Sequence, residues 1–267
     1  MVIVVKIGGA TLERASDNFF EDLKDVAKSD KVVLVHGGGK EVTSIAEKLG
    51  KGQTFITSPE GFRSRYTDRE TAEIFTMVMV GKMNKLLVSR LMRAGVPSIG
   101  LSGLDGGIIR ANRKERLVIM DERGRKRAIE GGYTGKITSV DTELLKTLMD
   151  RGYLPVISPV ALGEKFEYLN IDADRTASSI AGSLKVETVI FFTDVEGVIL
   201  DGKVVHDMGK EEVERQLPKI GPGMKVKVYA ALEALGMGAK RAIVAPLIDE
   251  RPVTSALNGK VGTIIHA

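Results

Sequence analysis

The chain has 267 residues, 43% hydrophobic and 28% charged, with 30 glycines, 8 prolines and a net charge of +4. That is enough for one large folded α/β domain, and the composition excludes a disordered chain. It contains no cysteine, only three separated histidines (His36, His206, His266) and no long apolar run; these exclude disulfides, thiolate zinc, a histidine metal cluster, a Ser-His-Asp site and a membrane span, and fit the cytoplasm.

In chain order, VIVVKI (2–7) is a β-branched run closed by Gly8 and Gly9, a strand ending in a glycine turn. Phe19, Phe20, Leu23, Val26 and Ala27 recur at helical spacing in DNFFEDLKDVAK. KVVLV (31–35) predicts a buried strand closed by HGGG, and the helix KEVTSIAEKLG ends at Gly50. In GFRSRYTD (61–68), Arg63 and Arg65 share one side if the segment is extended.

A helical pattern spans about 68–94 and PSIGL starts another strand. LVIM and RAI flank Asp121-Glu122-Arg123-Gly124 as a hairpin. A helix is expected near 141–151, a strand at LPVIS, a hairpin through 161–169, and a helix over DADRTASSIAGSL after capping residues. VETVIFF predicts a strand ending at Thr193-Asp194, and Asp201-Gly202 a hairpin turn. Helices near 209–217 and 224–236 and strands at AIVA and GTIIH complete the chain. Alternating strands and helices predict a mostly parallel sheet covered on both faces. We read 1–267 as a single domain with two lobes, about 1–170 and 171–267.

Charge is uneven. Between Arg110 and Arg127 eight basic residues face three acidic ones, so this stretch alone exceeds the net charge of the chain. Such a patch suits an acidic partner, although charge runs are as often plain solvated surface. Few aromatics and no nucleic-acid-binding motif argue against nucleic acid.

Glycine clusters after strands and before helices suggest phosphate binding. No Walker A loop is present, since Lys40 precedes Glu41 and Lys136 precedes Ile137. Dinucleotide and protein-kinase signatures are also missing. What stands instead is Lys6 in VVKIGG, three glycines in HGGGK, Asn170, Asp172 and Asp174 in LNIDADR, Thr193 and Asp194 in FFTDVEG, and Lys225 and Lys227 in GPGMKVKV. Singly, each has an ordinary reading: a solvated lysine, a tight turn, a helix cap.

As a set, VKIGG, HGGG, RYTD, NIDAD, TDVEG and GPGMKVK resemble the motifs of the amino acid kinase family, over essentially the whole chain. The likeness is greatest to the acetylglutamate kinase branch. Within it, GFRSRYTD, SGLDGG, ERGRKRAIEGGYTGK and KIGPGM resemble the archaeal kinases of lysine and arginine biosynthesis. The resemblance implies a three-layer αβα sandwich of the carbamate kinase-like type. It implies ATP-dependent phosphorylation of a carboxylate, on glutamate or 2-aminoadipate tethered through its amino group to a small acidic carrier protein. A free N-acetylglutamate acceptor is the alternative, and a catalytically dead nucleotide sensor is disfavoured because Lys6, Asp174 and Lys227 are all kept.

The same resemblance implies the site. Lys6 and Lys227 would stabilise the transferring group and Asp174 would orient both. Gly38, Gly39, Arg65 and Asn170 would hold the acceptor, with Arg65 on its α-carboxylate. Gly8, Gly9, Gly37, Thr193, Asp194 and Gly223 would hold the nucleotide, magnesium would ride on the ATP phosphates with no protein metal site, and relatives are commonly homodimers. Pro222 stands where the family usually has a second glycine. With the first strand at residue 2, the extra N-terminal helix of arginine-inhibited acetylglutamate kinases is not expected.

Overall fold

A computed structural model describes residues 1–248 and 250–267. The chain begins with β1 (Val2–Ile7), α1 (Gly9–Glu13), α2 (Asp17–Ala27), β2 (Lys31–His36) and α3 (Gly39–Lys48). A hairpin of β3 (Phe55–Thr57) and β4 (Arg63–Arg65) leads into α4 (Arg69–Thr76), a π-helical segment Met77–Met83 and α5 (Asn84–Arg93). Next come β5 (Ser98–Ser102), β6 (Ile109–Arg113), the hairpin β7 (Arg116–Met120) and β8 (Lys126–Glu130), β9 (Gly135–Val140) and α6 (Glu143–Asp150). β10 (Leu154–Ser158), β11 (Val160–Leu162), β12 (Tyr168–Asn170), α7 (Ala173–Leu184) and β13 (Thr188–Thr193) follow. The chain closes with β14 (Ile199–Leu200), β15 (Lys203–Val204), β16 (Asp207–Gly209), α8 (Lys210–Gln216), α9 (Pro222–Gly236), β17 (Arg241–Pro246), α10 (Pro252–Leu257) and β18 (Thr263–His266).

Eight strands form one sheet in the order β16-β18-β17-β13-β1-β2-β10-β5. Every pairing in it is parallel except β17 with β18. β1 is the seam: strands from earlier in the sequence lie on its β2 side, and later ones on its β13 side.

The sheet carries helices on both faces because its strands are apolar on both, and successive side chains alternate. Val4, Val33, Val35, Val189, Phe191 and Val244 pack with α6, α7 and α9. Ile3, Val5, Ile7, Leu34, Ile190, Phe192 and Ile243 pack with α2, α3, α10 and the long helical run. On that second face Phe19 meets Phe20 and Phe192 edge to face at 5.2 and 5.9 Å. Each such pair adds ~0.5–1.5 kcal/mol beyond its buried area. The expected αβα sandwich is therefore present. By the same alternation Lys6 falls on the face of Val4, towards α7 and α9.

A second sheet, β12-β11-β6-β9, extends past the end of β10, and the β3–β4 and β7–β8 hairpins stand as separate two-stranded units. Sequence periodicity missed β3, β6, β9, β16 and the short α1 and α10. It also rendered the helical run as one continuous α-helix, whereas its middle is wound as a π-helix.

Candidate active site

α7 begins within LNIDAD, at Ala173, and the capping task falls to Asp172, whose carboxylate accepts from the Arg175 amide at 2.9 Å. Asp174 is thereby left in the first turn with its side chain turned towards β1. Its Oδ1 lies 2.6 Å from Lys6 Nζ and its Oδ2 lies 3.7 Å from Lys227 Nζ on α9. The Lys6 and Asp174 side chains are only 6% and 8% exposed, so water does little to screen the pair. Burial by itself raises the Asp174 carboxyl, but the adjacent Lys6 and Lys227 charges and hydrogen bonds outweigh it and hold the group below its ordinary value. The N-terminus of α7 favours the same ionised form. Two ammonium groups thus converge on one carboxylate, which leaves positive charge for a further anion.

Beside Lys6, two glycine turns meet backbone to backbone. A Cβ on Gly9 would stand 2.8 Å from Gly38 Cα, and one on Gly37 would stand 3.0 Å from the Gly9 nitrogen. A Cβ on Gly8 would come within 3.7 Å of Lys6 Nζ. Neither α1 nor α3, which start at Gly9 and Gly39, has a side-chain cap. Their first-turn amides suit phosphoryl or carboxylate oxygens. The π-helical segment closes the cradle from behind, since Gly38 packs on Met79 and Met83.

His36, at the end of β2, fixes this turn. It is fully buried, with Nδ1 3.1 Å from Gly37 O and Nε2 3.1 Å from Ser158 Oγ. A carbonyl can only accept, so Nδ1 carries the proton; Asn84 Nδ2, 3.3 Å from Nε2, is a donor to it. Burial lowers the imidazole to about 4, against a smaller opposing effect of the Gly37 carbonyl, so the ring is neutral at pH 7.

β4 is extended, and Arg63 and Arg65 do share one side. Both guanidinium groups lie over the Phe55 ring, at 4.4 and 4.9 Å. Arg63 is exposed, whereas Arg65 turns inward and is 9% exposed. Arg65 Nη2 donates to Gly39 O at 2.7 Å and to Thr43 Oγ1 at 2.9 Å, and Nη1 donates to Gln53. Three of its five donors are therefore engaged within the chain, and the guanidinium sits against the first turn of α3. Asn170 reaches the same region through Nδ2, which donates to Thr67 Oγ1 at 2.9 Å. The Tyr133 amide donates to Thr67 O at 2.6 Å. Thr67, the threonine of RYTD, and Thr43 and Gln53 were not assigned from sequence. Their signal was weak, because each is an ordinary polar residue whose role depends on a distant partner.

Thr193 and Asp194 close β13, the strand beside β1, and Thr193 Oγ1 donates to Asp194 Oδ1 at 3.2 Å. Gly223 lies exposed in the first turn of α9, where an added Cβ would meet nothing within 4 Å. The β7–β8 hairpin carries its basic side chains outward: Arg116, Arg123, Arg125, Lys126 and Arg127 are all exposed. Among the described residues there is no group of three or more His, Cys, Asp or Glu able to hold a metal ion. None of their helices is long and apolar enough to cross a membrane.

Comparison with known proteins places this geometry. A protein of Saccharolobus islandicus (strain Y.N.15.51 / Yellowstone #2) named LysW-aminoadipate/LysW-glutamate kinase is 44% identical over 263 residues, 97% of this chain and 98% of its own. A protein of Cenarchaeum symbiosum, provisionally given the same name, is 54% identical over 264 residues, 99% of each chain. The structure of carbamate kinase from Giardia lamblia bound to AMP-PNP shares the fold, with a TM-score of 0.71 at 16% identity over 99% of this chain and 98% of that one. The model of the amino acid kinase family matches residues 1–246, and the chain belongs to that family.

Proposed function

We propose that this chain is an ATP-dependent kinase that phosphorylates the side-chain carboxylate of 2-aminoadipate, glutamate or both, attached through the amino group to a small acidic carrier protein. Relatives named for LysW-linked aminoadipate and glutamate, aligned over nearly the whole chain, support that acceptor. The observation that carries the chemistry is the convergence of Lys6 and Lys227 on the buried Asp174 carboxylate.

A carboxylate acceptor is already ionised at neutral pH, so no general base is required. The site must align donor and acceptor and offset charge on the transferring group. Asp174 holds the two ammonium groups on one spot, where they meet that charge from opposite sides. The Gly8, Gly9 and Gly37 turns bring backbone amides to the phosphate oxygens. Gly38, Gly39, Asn170 and Arg65 hold the acceptor, with guanidinium–carboxylate pairing at its far end.

In this reading residues 1–170 form the acceptor lobe and 171–267, with Thr193, Asp194 and Gly223, the nucleotide lobe. The pocket carboxylate is already bracketed by two ammonium groups, which fits magnesium held by phosphate oxygens, where it neutralises charge on the nucleotide. The exposed basic hairpin is the steering surface for the acidic carrier. The reading also includes a cytoplasmic homodimer, for which the long helical run exposes the apolar side chains of Met77, Leu86 and Met92.

Hydroxylamine trapping tests the reaction class. An acyl phosphate formed on carrier-linked aminoadipate or carrier-linked glutamate gives an ATP-dependent hydroxamate. A chain that binds ATP yet yields none is a nucleotide sensor instead.

A further inference from the structure

The tip of the β3–β4 hairpin touches α9. Phe62 and Tyr229 meet edge to face with ring centroids 5.8 Å apart and planes at 84°. Phe62 lies three residues before Arg65, and Tyr229 two residues after Lys227. One contact therefore joins the loop that ends in the acceptor arginine to the helix that carries a catalytic lysine.

The hairpin has little stability of its own. Each strand has three residues, and a two-stranded ribbon of that size is marginal in water. Its base is anchored where Arg65 bonds Gly39, Thr43 and Gln53, and by Lys51, which pairs with Asp68 at 2.7 Å and Glu70 at 2.8 Å. The tip is different. Ser58, Pro59, Glu60 and Gly61 supply no large apolar group, and Phe62 finds its aromatic partner on α9. Tyr229 is 37% exposed even with Phe62 against it. α9 in turn packs on α7, which carries Asp174. The position of the hairpin tip and that of α9 are thus tied through two partly exposed rings.

We propose that Phe62 and Tyr229 form a latch across the cleft, so that nucleotide bound beside α9 stabilises the acceptor hairpin, and acceptor bound at the hairpin reciprocally strengthens nucleotide binding. The inference rests on the kinase reading above. The reciprocity follows from linkage: whatever factor one ligand contributes to the other's affinity must be returned. An edge-to-face pair provides a coupling of about 3- to 10-fold. Phe62 and Tyr229 are positioning residues that act through Arg65 and Lys227.

The test is hydrogen–deuterium exchange of residues 58–65 with and without saturating AMP-PNP, with AMP-PNP binding followed calorimetrically in the same samples. In the unaltered chain AMP-PNP should slow exchange at these amides about 3- to 10-fold, with no acceptor present. Phe62→Ala and Tyr229→Ala should each abolish that protection while the bound fraction is held at saturation. Tyr229→Phe keeps the ring and should restore it. Protection that persists in either alanine variant, or a Tyr229→Phe variant that behaves like Tyr229→Ala, overturns the latch alone. Failure of the unaltered chain to bind AMP-PNP overturns the kinase reading, and the latch with it.

Discussion

Asp174 Oδ1 stands 2.6 Å from Lys6 Nζ, and the second oxygen of the same carboxylate faces Lys227 at 3.7 Å. The three groups come from a strand, the start of one helix and the first turns of another, spread over 221 positions of the sequence from Lys6 to Lys227. Their meeting is a property of the fold. Replacing the carboxylate by an amide of the same shape, Asp174→Asn, leaves the Lys6 ammonium buried without its counter-charge. The expected loss is ~3 kcal/mol of stability in urea denaturation, together with a fall in kcat of roughly 10²–10³. A variant that keeps kcat within twofold would remove Asp174 from the machinery.

His36 gives a pH signature that does not depend on substrate. Its folded pKa, about 4, lies below the ordinary 6.5. The unfolded chain therefore takes up the proton first, and the stability contributed by the neutral ring is complete above pH 6.5 and drains away as pH falls towards 4. The loss over that window is ~3 kcal/mol. Urea midpoints measured from pH 7 to 4 should fall accordingly, and His36→Asn should flatten the slope while its amide keeps a donor near Gly37 O. An unchanged slope in the variant would assign the pH dependence to other groups.

Arg65→Lys exchanges a fork of five donors for a point charge, and so loses the paired bonds to Gly39 and Thr43 as well as the planar face for a carboxylate. The acceptor KM should rise tenfold or more, with the nucleotide KM nearly unchanged. Equal effects on both substrates would assign Arg65 to holding α3 rather than to the acceptor.

The basic hairpin separates a carrier-linked acceptor from a free one. Reversing Arg125, Lys126 and Arg127 to glutamate removes three exposed charges outside the main sheet. Activity on carrier-linked substrate should fall about tenfold at low salt, with the gap to the unaltered chain narrowing as salt screens the field. Activity on any small free acceptor should stay level. Loss of both activities together would indicate a structural role for the hairpin.

Seven of the eight main-sheet strands were legible because they are short apolar runs between glycine punctuation, and the candidate site residues stood out because they sit in motifs at strand and helix ends. Other features lacked such a signal. RSR and IRANR are polar and short, and they become strands only where a partner chain segment offers a register. The π-helical turn at Met77–Met83 has ordinary helical periodicity, and its contacts, Ser158 Oγ donating to Met79 O at 3.3 Å and Gly38 against Met79 and Met83, come from distant segments that local sequence does not reveal. Asp172 and Asp174 are interchangeable as capping residues on paper. The family resemblance singled out Asp174, and the physical distinction between the two is the position of Lys6 near the end of β1, which faces Asp174. Phe62 and Tyr229 are 167 positions apart, and nothing in either neighbourhood announces the other.

The central claim, that this chain phosphorylates a carrier-held carboxylate, is tested most directly by ADP release in parallel reactions. One contains carrier-linked aminoadipate, one carrier-linked glutamate and one free N-acetylglutamate, at equal concentrations. The expected result is turnover on at least one carrier-linked acceptor with little on the free amino acid derivative, and its loss in Lys6→Met. Faster turnover of free N-acetylglutamate than of either carrier-linked acceptor would contradict the account.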